Sequence, residues 1–200
     1  MKFDSILFNI NLPTANPHQG ALLVAEPFLK DDYFLHAVIC LIDYDGGDSP
    51  AMGIVLNRQT AYSLQDLIEN ITVEEKIPVY CGGPVSYDRL YFLHTLGDIL
   101  PGGREVRPGL WVGGDFEAMI DYINSGYPID DRIRFFVGYS GWTKGQLSQE
   151  VEAHTWAVAE IESNDKLFTL SEDELWHDAV RSLGHEHRGW LFHPRNPHAN

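Results

Sequence analysis

Residues 36–58 read HAVICLIDYDGGDSPAMGIVLNR, two apolar runs separated by a turn-forming segment. His36–Asp43 and Met52–Leu56 are rich in Val, Ile and Leu, which is typical of buried strands. Between them, Asp45–Asp48 contains two glycines, which supply the positive φ angles that tight turns need. Similar short apolar runs predict further strands at 21–25, 78–81, 90–95, 110–113, 132–138 and 156–161.

Amphipathic segments predict four helices among these strands. Three of them follow a Ser or Asp whose side chain can accept hydrogen bonds from the first helical turn. Because strands and helices interleave irregularly rather than as repeated βα units, the pattern predicts an α+β fold around a mixed sheet. The helices are predicted at 64–71 after Ser63, at 116–123 after Asp115, at 146–154, and from Ser171 to Gly184.

Length and composition predict one globular domain. The 200 residues are 44% hydrophobic and 22% charged, which is too apolar for a disordered chain. The whole chain, 1–200, is interpreted as a single domain, with a frayed tail at 191–200 where Pro and Asn residues follow Trp190. The longest apolar runs are far too short to cross a bilayer, so no membrane partner is expected.

The chain is strongly acidic, with 14 Lys and Arg residues against 29 Asp and Glu residues and a formal charge of -15. Nucleic-acid affinity depends on cationic contacts with phosphates, so this balance argues against direct DNA or RNA binding. Residues 1–11 lack the apolar segment and cleavage site of a signal peptide, and a cytoplasmic location is expected. Cys40 and Cys81 lie in predicted strands, outside any Cys-x-x-Cys motif, and are expected to be reduced core residues.

A histidine-rich segment near the C-terminus has residues that can bind a metal ion. His185 and His187 flank Glu186, with His177 and His193 nearby. The spacing differs from the helical His-Glu-x-x-His motif, whose histidines are four residues apart, and no third ligand is specified. The segment is interpreted as solvated, and neither a metal nor a cofactor is expected.

Gly138-Tyr139-Ser140-Gly141-Trp142 is the segment most similar to an enzyme motif. A serine nucleophile on a tight turn after a strand has the pattern Gly-x-Ser-x-Gly, but Trp142 occupies the last glycine position. Two interpretations follow: a serine-type hydrolase that uses Ser140, or a glycine-flanked turn that joins a strand to the helix at Gln146. The pattern assigns no catalytic residue by itself.

Taken in order, several segments resemble one family. They are Gly20–Ala25, Met52–Arg58, Gly82–Val85, Leu93–His94, and Gly138–Trp142 followed by Gly145–Leu147 and Glu150. Over about residues 20–184 the chain resembles the YqgE/AlgH family. The resemblance implies an α+β domain whose mixed β-sheet curls into a pseudo-barrel with helices packed outside. It brings no reaction and no cofactor; members are mostly bacterial and cytosolic, and are often described as transcriptional regulators.

The resemblance also suggests where a site would lie, although the same positions could simply be the turns that close the barrel. Asn57 and Arg58 directly follow a strand, where an Arg can clamp a carboxylate or phosphate or form an ordinary surface ion pair. Ser148 stands where the family often has an acidic residue, which leaves Glu150 to supply the charge. The predicted binding residues are Asn57, Arg58, Gly82, Gly83, Pro84, His94, Tyr139, Trp142, Gln146 and Glu150.

The function that follows from the resemblance and the charge is regulation through a small-molecule or protein partner, rather than through direct DNA contact. Enzymatic activity is not expected, and the hydrolase using Ser140 is the alternative.

Overall fold

The computed structural model places ten strands and five α-helices in the residues that it describes, which are 12, 14–160 and 162–193. The strands are β1 Leu22–Ala25, β2 Val38–Asp43, β3 Ala51–Val55, β4 Gln59–Ser63, β5 Pro78–Cys81, β6 Val85–His94, β7 Arg104–Arg107, β8 Leu110–Val112, β9 Ile133–Trp142 and β10 Trp156–Ala159. The helices are α1 Leu64–Leu67, α2 Phe116–Asn124, α3 Gln146–Glu152, α4 Lys166–Thr169 and α5 Glu172–Ser182, followed by a 3-10 helix at His185–Phe192.

The ten strands form one curled sheet. Along its main path the strand order is β10-β1-β2-β3-β9-β6-β8-β7, and β4 and β5 join it through a pairing of β5 with β9. That pairing is parallel, whereas the other pairings are antiparallel. The sheet curls into a half-barrel, and the predicted α+β class with a mixed, curled sheet is confirmed.

Strand β9 connects the two halves of the sheet. Its residues up to Tyr139 pair with β5 and β6, whereas residues 140–142 pair with β3. The turn predicted at 138–142 is therefore wrong, because the strand continues to Trp142. Gly138 has a φ of +71°, and a Cβ there would lie 2.5 Å from the Gly83 carbonyl oxygen, so only glycine fits this bend. Cross-strand pairing with β3 outweighs the local turn tendency of the glycines.

Helices α2, α3 and α5 lie where the sequence predicts them. Asp115 Oδ1 accepts a hydrogen bond from the Ala118 backbone N–H at 2.8 Å, which caps α2. Glu174 Oε2 accepts from the Ser171 backbone N–H at 3.1 Å, as expected of the capping box of α5. Strands β4 and β7 and helix α4 were not predicted.

The helix predicted at 64–71 is shorter than expected and ends at Leu67. Beyond it, a side chain of α2 holds the backbone: Asn124 Oδ1 accepts from the Thr72 N–H at 2.9 Å, and Asn124 Nδ2 donates to the Asn70 carbonyl at 2.8 Å. The Thr72 N–H, which a longer helix could have paired with the Ile68 carbonyl, is thus bonded to Asn124 instead. A tertiary interaction therefore holds the chain after Leu67 where the apolar pattern predicts a continued helix.

The two faces of the sheet carry different helices. Val24 belongs to the buried cluster that contains Trp176 of α5, whereas its neighbour Leu23 belongs to the cluster that contains Leu147 of α3. This alternation is the two-residue period of a strand whose faces are both covered. It puts α3 and the side chain of Trp142, at the end of β9, on the same side of the sheet.

The histidine-rich segment is folded; the prediction that it is solvated is wrong for His187, which is buried, whereas His185 and Glu186 are exposed. In the 3-10 helix, His187 and Trp190 are only 3% and 2% exposed, and burial lowers the pKa of His187. Residues 191 and 192 belong to this helix, whereas 1–11 and 194–200 lie outside the described residues.

Other expectations concern metals, thiols and membranes. No group of three or more His, Cys, Asp or Glu side chains within the described part of the chain could hold a metal ion. Cys40 and Cys81 are both free thiols; Cys40 is buried, and Cys81 is only partly buried. No helix among the described residues is long and apolar enough to cross a membrane.

Candidate functional site

A cleft of about 280 Å³ lies where the end of β9 meets α3 and the start of β10. Helix α3 supplies two polar side chains to it, and the neighbouring strands and loops supply aromatic and aliphatic ones. We call it the Trp142 cleft. It is lined by Leu29, Asp31, Phe34, Pro84, Ser140, Gly141, Trp142, Gln146, Glu150, Thr155 and Trp156.

The carboxylate of Glu150 is the polar centre of the Trp142 cleft. Its Oε2 atom accepts hydrogen bonds from the indole N–H groups of Trp142 and Trp156, each at 2.8 Å. Its Oε1 atom accepts from Gln146 Nε2, also at 2.8 Å. Three side-chain donors from two strands and one helix therefore converge on one carboxylate, which fixes its position.

Local geometry explains how these side chains meet. Gln146 and Glu150 are four residues apart and share one face of α3. Gly145, just before the helix, has a φ of +74°, and this left-handed conformation turns the chain out of β9 into α3. The Gln146 Oε1 atom accepts from the Thr143 backbone N–H at 3.0 Å, which ties the side chain to the connecting turn.

Four of the predicted binding residues line the Trp142 cleft. They are Pro84, Trp142, Gln146 and Glu150. Trp142 is mostly buried, at 5% exposure, and its ring meets that of Trp156 edge to face with centroids 6.4 Å apart. The indole rings thus form a rigid wall and use their N–H groups inside the protein.

The two predicted glycines support the cleft through their backbone. A Cβ on Gly83 would lie 1.9 Å from the carbonyl carbon of Tyr139, and one on Gly82 would lie 2.5 Å from the Gly138 carbonyl oxygen. Glycine is required at both positions because two backbone segments touch there. They place Pro84 next to β9, and Tyr139 itself packs with the other face of the sheet near Tyr91.

Asn57 and Arg58 do not line the Trp142 cleft. Arg58 donates from Nε to the Tyr33 carbonyl at 3.1 Å and from a terminal nitrogen to the Leu35 carbonyl. Asn57 donates to the His36 carbonyl at 2.8 Å and accepts from the Val38 N–H. Both side chains hold the loop at 31–37, which carries Asp31 and Phe34 to the cleft, so they support the site from behind.

His94 is a buried structural histidine. Its Nε2 atom lies 2.8 Å from the Gly113 carbonyl oxygen, and its Nδ1 atom accepts from the Leu96 N–H at 3.1 Å. This arrangement uses both ring nitrogens of a neutral imidazole. Burial lowers the pKa of His94, against the smaller opposing effect of the bond to Gly113. The side chain holds the loop after β6 and does not line the Trp142 cleft.

Ser140 lies inside β9, not on a strained turn. Its side chain is 1% exposed, and its hydroxyl donates to the Gly82 carbonyl oxygen at 3.4 Å. Among the described residues, no histidine or carboxylate accepts a hydrogen bond from it, as the activation of a serine nucleophile requires. The geometry gives no support to the hydrolase alternative.

Sequence analysis missed several members of the Trp142 cleft. Trp156 was assigned only to a predicted strand, and Asp31 and Phe34 to none of the motifs. Trp156 and Phe34 meet edge to face with ring centroids 5.6 Å apart. These residues carry no local spacing signal, because they reach the site from different parts of the chain.

A family model described as AlgH-like matches residues 22–188. The chain belongs to the AlgH-like family. This AlgH-like protein is 40% identical over 195 residues to a UPF0301 protein of Parabacteroides distasonis, an alignment that covers 97% of each chain. It is 38% identical over 200 residues to a UPF0301 protein of Bacteroides thetaiotaomicron, with 100% of each chain covered. The predicted membership of the YqgE/AlgH family is thereby confirmed.

Solved structures show the same architecture as this AlgH-like protein. The solution structure of the AlgH protein from Pseudomonas aeruginosa has a TM-score of 0.68 at 25% identity, covering 94% of this chain and 100% of that one. A crystal structure of protein DIP2367 from Corynebacterium diphtheriae also has a TM-score of 0.68, at 21% identity, covering 96% and 99%. The second likeness shows the fold alone.

Proposed function

We propose that this AlgH-like protein is a non-enzymatic binding protein that recognises a small molecule or a protein partner in the Trp142 cleft. The observation that carries this proposal is the Glu150 carboxylate, held by Trp142, Trp156 and Gln146 beside an open volume of about 280 Å³. Apolar walls with a few fixed polar groups are the usual composition of a ligand site.

The contacts of the polar groups favour binding over catalysis. Ser140 is buried with a backbone acceptor, and His94 bonds to backbone groups at a distance from the cleft. The Glu150 carboxylate is engaged by three N–H donors, and among the described residues no histidine or hydroxyl shares a hydrogen bond with it through which a proton could be exchanged. Such a carboxylate is suited to orienting a bound group.

The regulatory part of the proposal rests on the family and on the charge. A net charge of -15 repels phosphate backbones, so we propose that any regulation acts through the bound partner instead of through DNA. We also propose a cytoplasmic location, which the two free thiols support, because thiols stay reduced in that compartment.

A thermal-shift screen against a metabolite collection tests the proposal, using Gln146→Ala as the cleft variant. Gln149→Ala is the matched control, since Gln149 is an exposed residue on the same helix that does not line the cleft. A ligand at a hundredfold its Kd stabilises the folded state by about 2.7 kcal/mol, which raises the Tm by roughly 5 to 10 °C for a chain of this size.

We expect the shift to be lost in Gln146→Ala and kept in Gln149→Ala. A ligand that stabilises both variants equally binds elsewhere and contradicts the proposal.

Gel shifts at about 50 mM salt test the proposal that the protein does not bind DNA directly, because low salt favours electrostatic binding. A complex at micromolar protein would overturn it.

A further inference from the structure

The charges of the Trp142 cleft are all of one sign. Two of its eleven lining residues, Asp31 and Glu150, carry carboxylates, and none carries a positive charge. The three donors that bond to Glu150 are neutral indole and amide groups. Hydrogen bonds from neutral donors satisfy lone pairs but bring no compensating charge.

Both carboxylates can accept further hydrogen bonds. A carboxylate offers about four acceptor sites, and the three bonds to Glu150 leave one, on Oε1. Asp31 accepts from the Tyr33 and Phe34 backbone N–H groups through Oδ1 at 2.9 and 3.2 Å, which leaves Oδ2 available to a ligand. A donor group that entered the cleft would therefore find acceptors on two sides.

Apart from these carboxylates and the neutral polar residues Ser140, Gln146 and Thr155, the lining is apolar or aromatic, with one glycine. Phe34 and Trp156 pack edge to face, and Leu29, Pro84 and Trp142 complete the wall. Such a wall favours an apolar body, and aromatic rings also attract cations. The volume of about 280 Å³ is at the lower limit of small-molecule sites, so the occupant is small.

We propose that the Trp142 cleft binds a small organic cation, an ammonium or amidinium group on an apolar or aromatic body. The charged group lies against Glu150 and Asp31, and the body lies against Phe34 and Trp156. An anion would meet two carboxylates, and a neutral ligand would leave the charge of the partly buried Glu150 uncompensated. The inference rests on the proposed function, because it names the ligand class of the same site. A free amine and a lysine side chain of a partner share this chemistry.

Titration of ¹⁵N-labelled protein with benzylammonium tests the inference, followed by the indole N–H signals in proton–nitrogen NMR spectra. The chain has five tryptophans, and those of positions 142 and 156 donate directly to Glu150. Benzyl alcohol and benzoate are the neutral and anionic probes of matched size. Acetyl-lysine amide, acetylated on its α-amino group, keeps a free side-chain ammonium like that of a lysine on a protein partner.

We expect benzylammonium to move the Trp142 and Trp156 indole signals while the signal of buried Trp176, on the opposite face, stays unchanged. It should bind at least about tenfold more tightly than benzyl alcohol, a difference of about 1.4 kcal/mol. Glu150→Gln should weaken the binding by at least about tenfold. Glu152→Gln, with the same charge change on the same helix but outside the cleft, should leave it unaltered. Asp31→Asn is a second variant, on an exposed side chain, and should weaken binding too.

Each outcome decides the inference. Equal binding of benzyl alcohol or benzoate overturns the cationic class and leaves the cleft as a ligand site. If neither benzylammonium nor acetyl-lysine amide moves the indole signals, the cationic ligand class is also overturned. The proposed function is then tested separately by the thermal shift that depends on Gln146. Tighter binding of acetyl-lysine amide supports the inference with a partner's side chain as the source; tighter binding of benzylammonium supports it with a free amine.

Discussion

Glu150 and Asn57 each engage three hydrogen-bonding groups, but the groups differ in kind. Glu150 accepts from the side chains of Trp142, Gln146 and Trp156 at the edge of an open cleft. Asn57 is 1% exposed and bonds only to backbone groups, those of residues 36, 38 and 172. Both residues are among the binding residues that the sequence predicts.

This difference distinguishes two roles of polar side chains, one in stability and one in ligand binding. A polar side chain that satisfies buried backbone groups holds the chain in place, and its loss leaves those groups unpaired. A side chain that organises other side chains beside an open volume shapes a surface for a ligand. We therefore expect the first kind to control stability and the second kind to control binding.

The largest effect is expected where two backbone segments touch. Gly83→Ala places a Cβ 1.9 Å from the carbonyl carbon of Tyr139, so the β5–β6 connection must move away from β9. We expect a loss of more than about 4 kcal/mol in the free energy of unfolding, or failure to fold, measured by urea denaturation. Gly46→Ala is the control, since nothing lies within 4 Å there, and it should cost about 1 to 2 kcal/mol for its positive φ. Equal losses of stability in the two variants would contradict the close backbone contact at Gly83.

The next largest effect is expected for the backbone-directed amide. Asn57→Ala removes the hydrogen bonds that its buried amide makes with one backbone N–H and two carbonyl groups, and should lower the free energy of unfolding by about 2 to 4 kcal/mol. Asn124→Ala removes two bonds to backbone at an exposed position and should cost about 1 kcal/mol or less. If chemical denaturation gave the two variants equal stabilities, the distinction between buried and exposed backbone contacts would fail.

A smaller effect concerns pH, through a second backbone-directed residue. Because burial lowers the pKa of His94 below its ordinary value of 6.5, the unfolded chain takes up a proton there before the folded protein does. The contribution of His94 to stability is therefore fully present above pH 6.5 and is lost as the pH falls below that value. His187 has a pKa lowered in the same direction and contributes to the same decrease.

Unfolding free energies measured between about pH 7.5 and about pH 5.5 test this dependence. His94→Gln should be less stable at neutral pH but should show a shallower decrease over this range. An identical slope in the variant and the wild type would mean that His94 titrates normally in the folded state.

The smallest effect on stability is expected at the cleft itself. Gln146→Ala removes a partly exposed contact with Glu150 and one with Thr143, and should lower the free energy of unfolding by less than about 1 kcal/mol. The same substitution should abolish ligand-induced stabilisation, as measured by thermal shift. A variant that loses as much stability as Asn57→Ala would place Gln146 among the residues that hold the chain.

Much of the secondary structure could be predicted from local patterns. The apolar runs at 36–43 and 52–56 correspond to β2 and β3, and the capping residues Asp115 and Ser171 start α2 and α5 as expected. These signals depend only on neighbouring residues, through the strand and helix periods and the hydrogen bonds of the first turn. The family resemblance and the acidic net charge, which argues against DNA binding, could also be obtained from the sequence alone.

Where local signals are ambiguous or absent, tertiary contacts determine the secondary structure and which side chains meet. Residues 140–142 form a strand because they pair with β3, and the chain after α1 bonds to Asn124 where a continued helix was expected. The tertiary structure also decided which motif residues meet, bringing Trp142 and Glu150 into the cleft while directing Asn57 and His94 to backbone groups. Partners such as Trp156 and Phe34 lie far from one another along the chain, so no local spacing encodes their contact. Only the pairing of β10 with β1, and of β1 with β2, brings them together, and the hydrophobic burial that drives this assembly depends on the whole core.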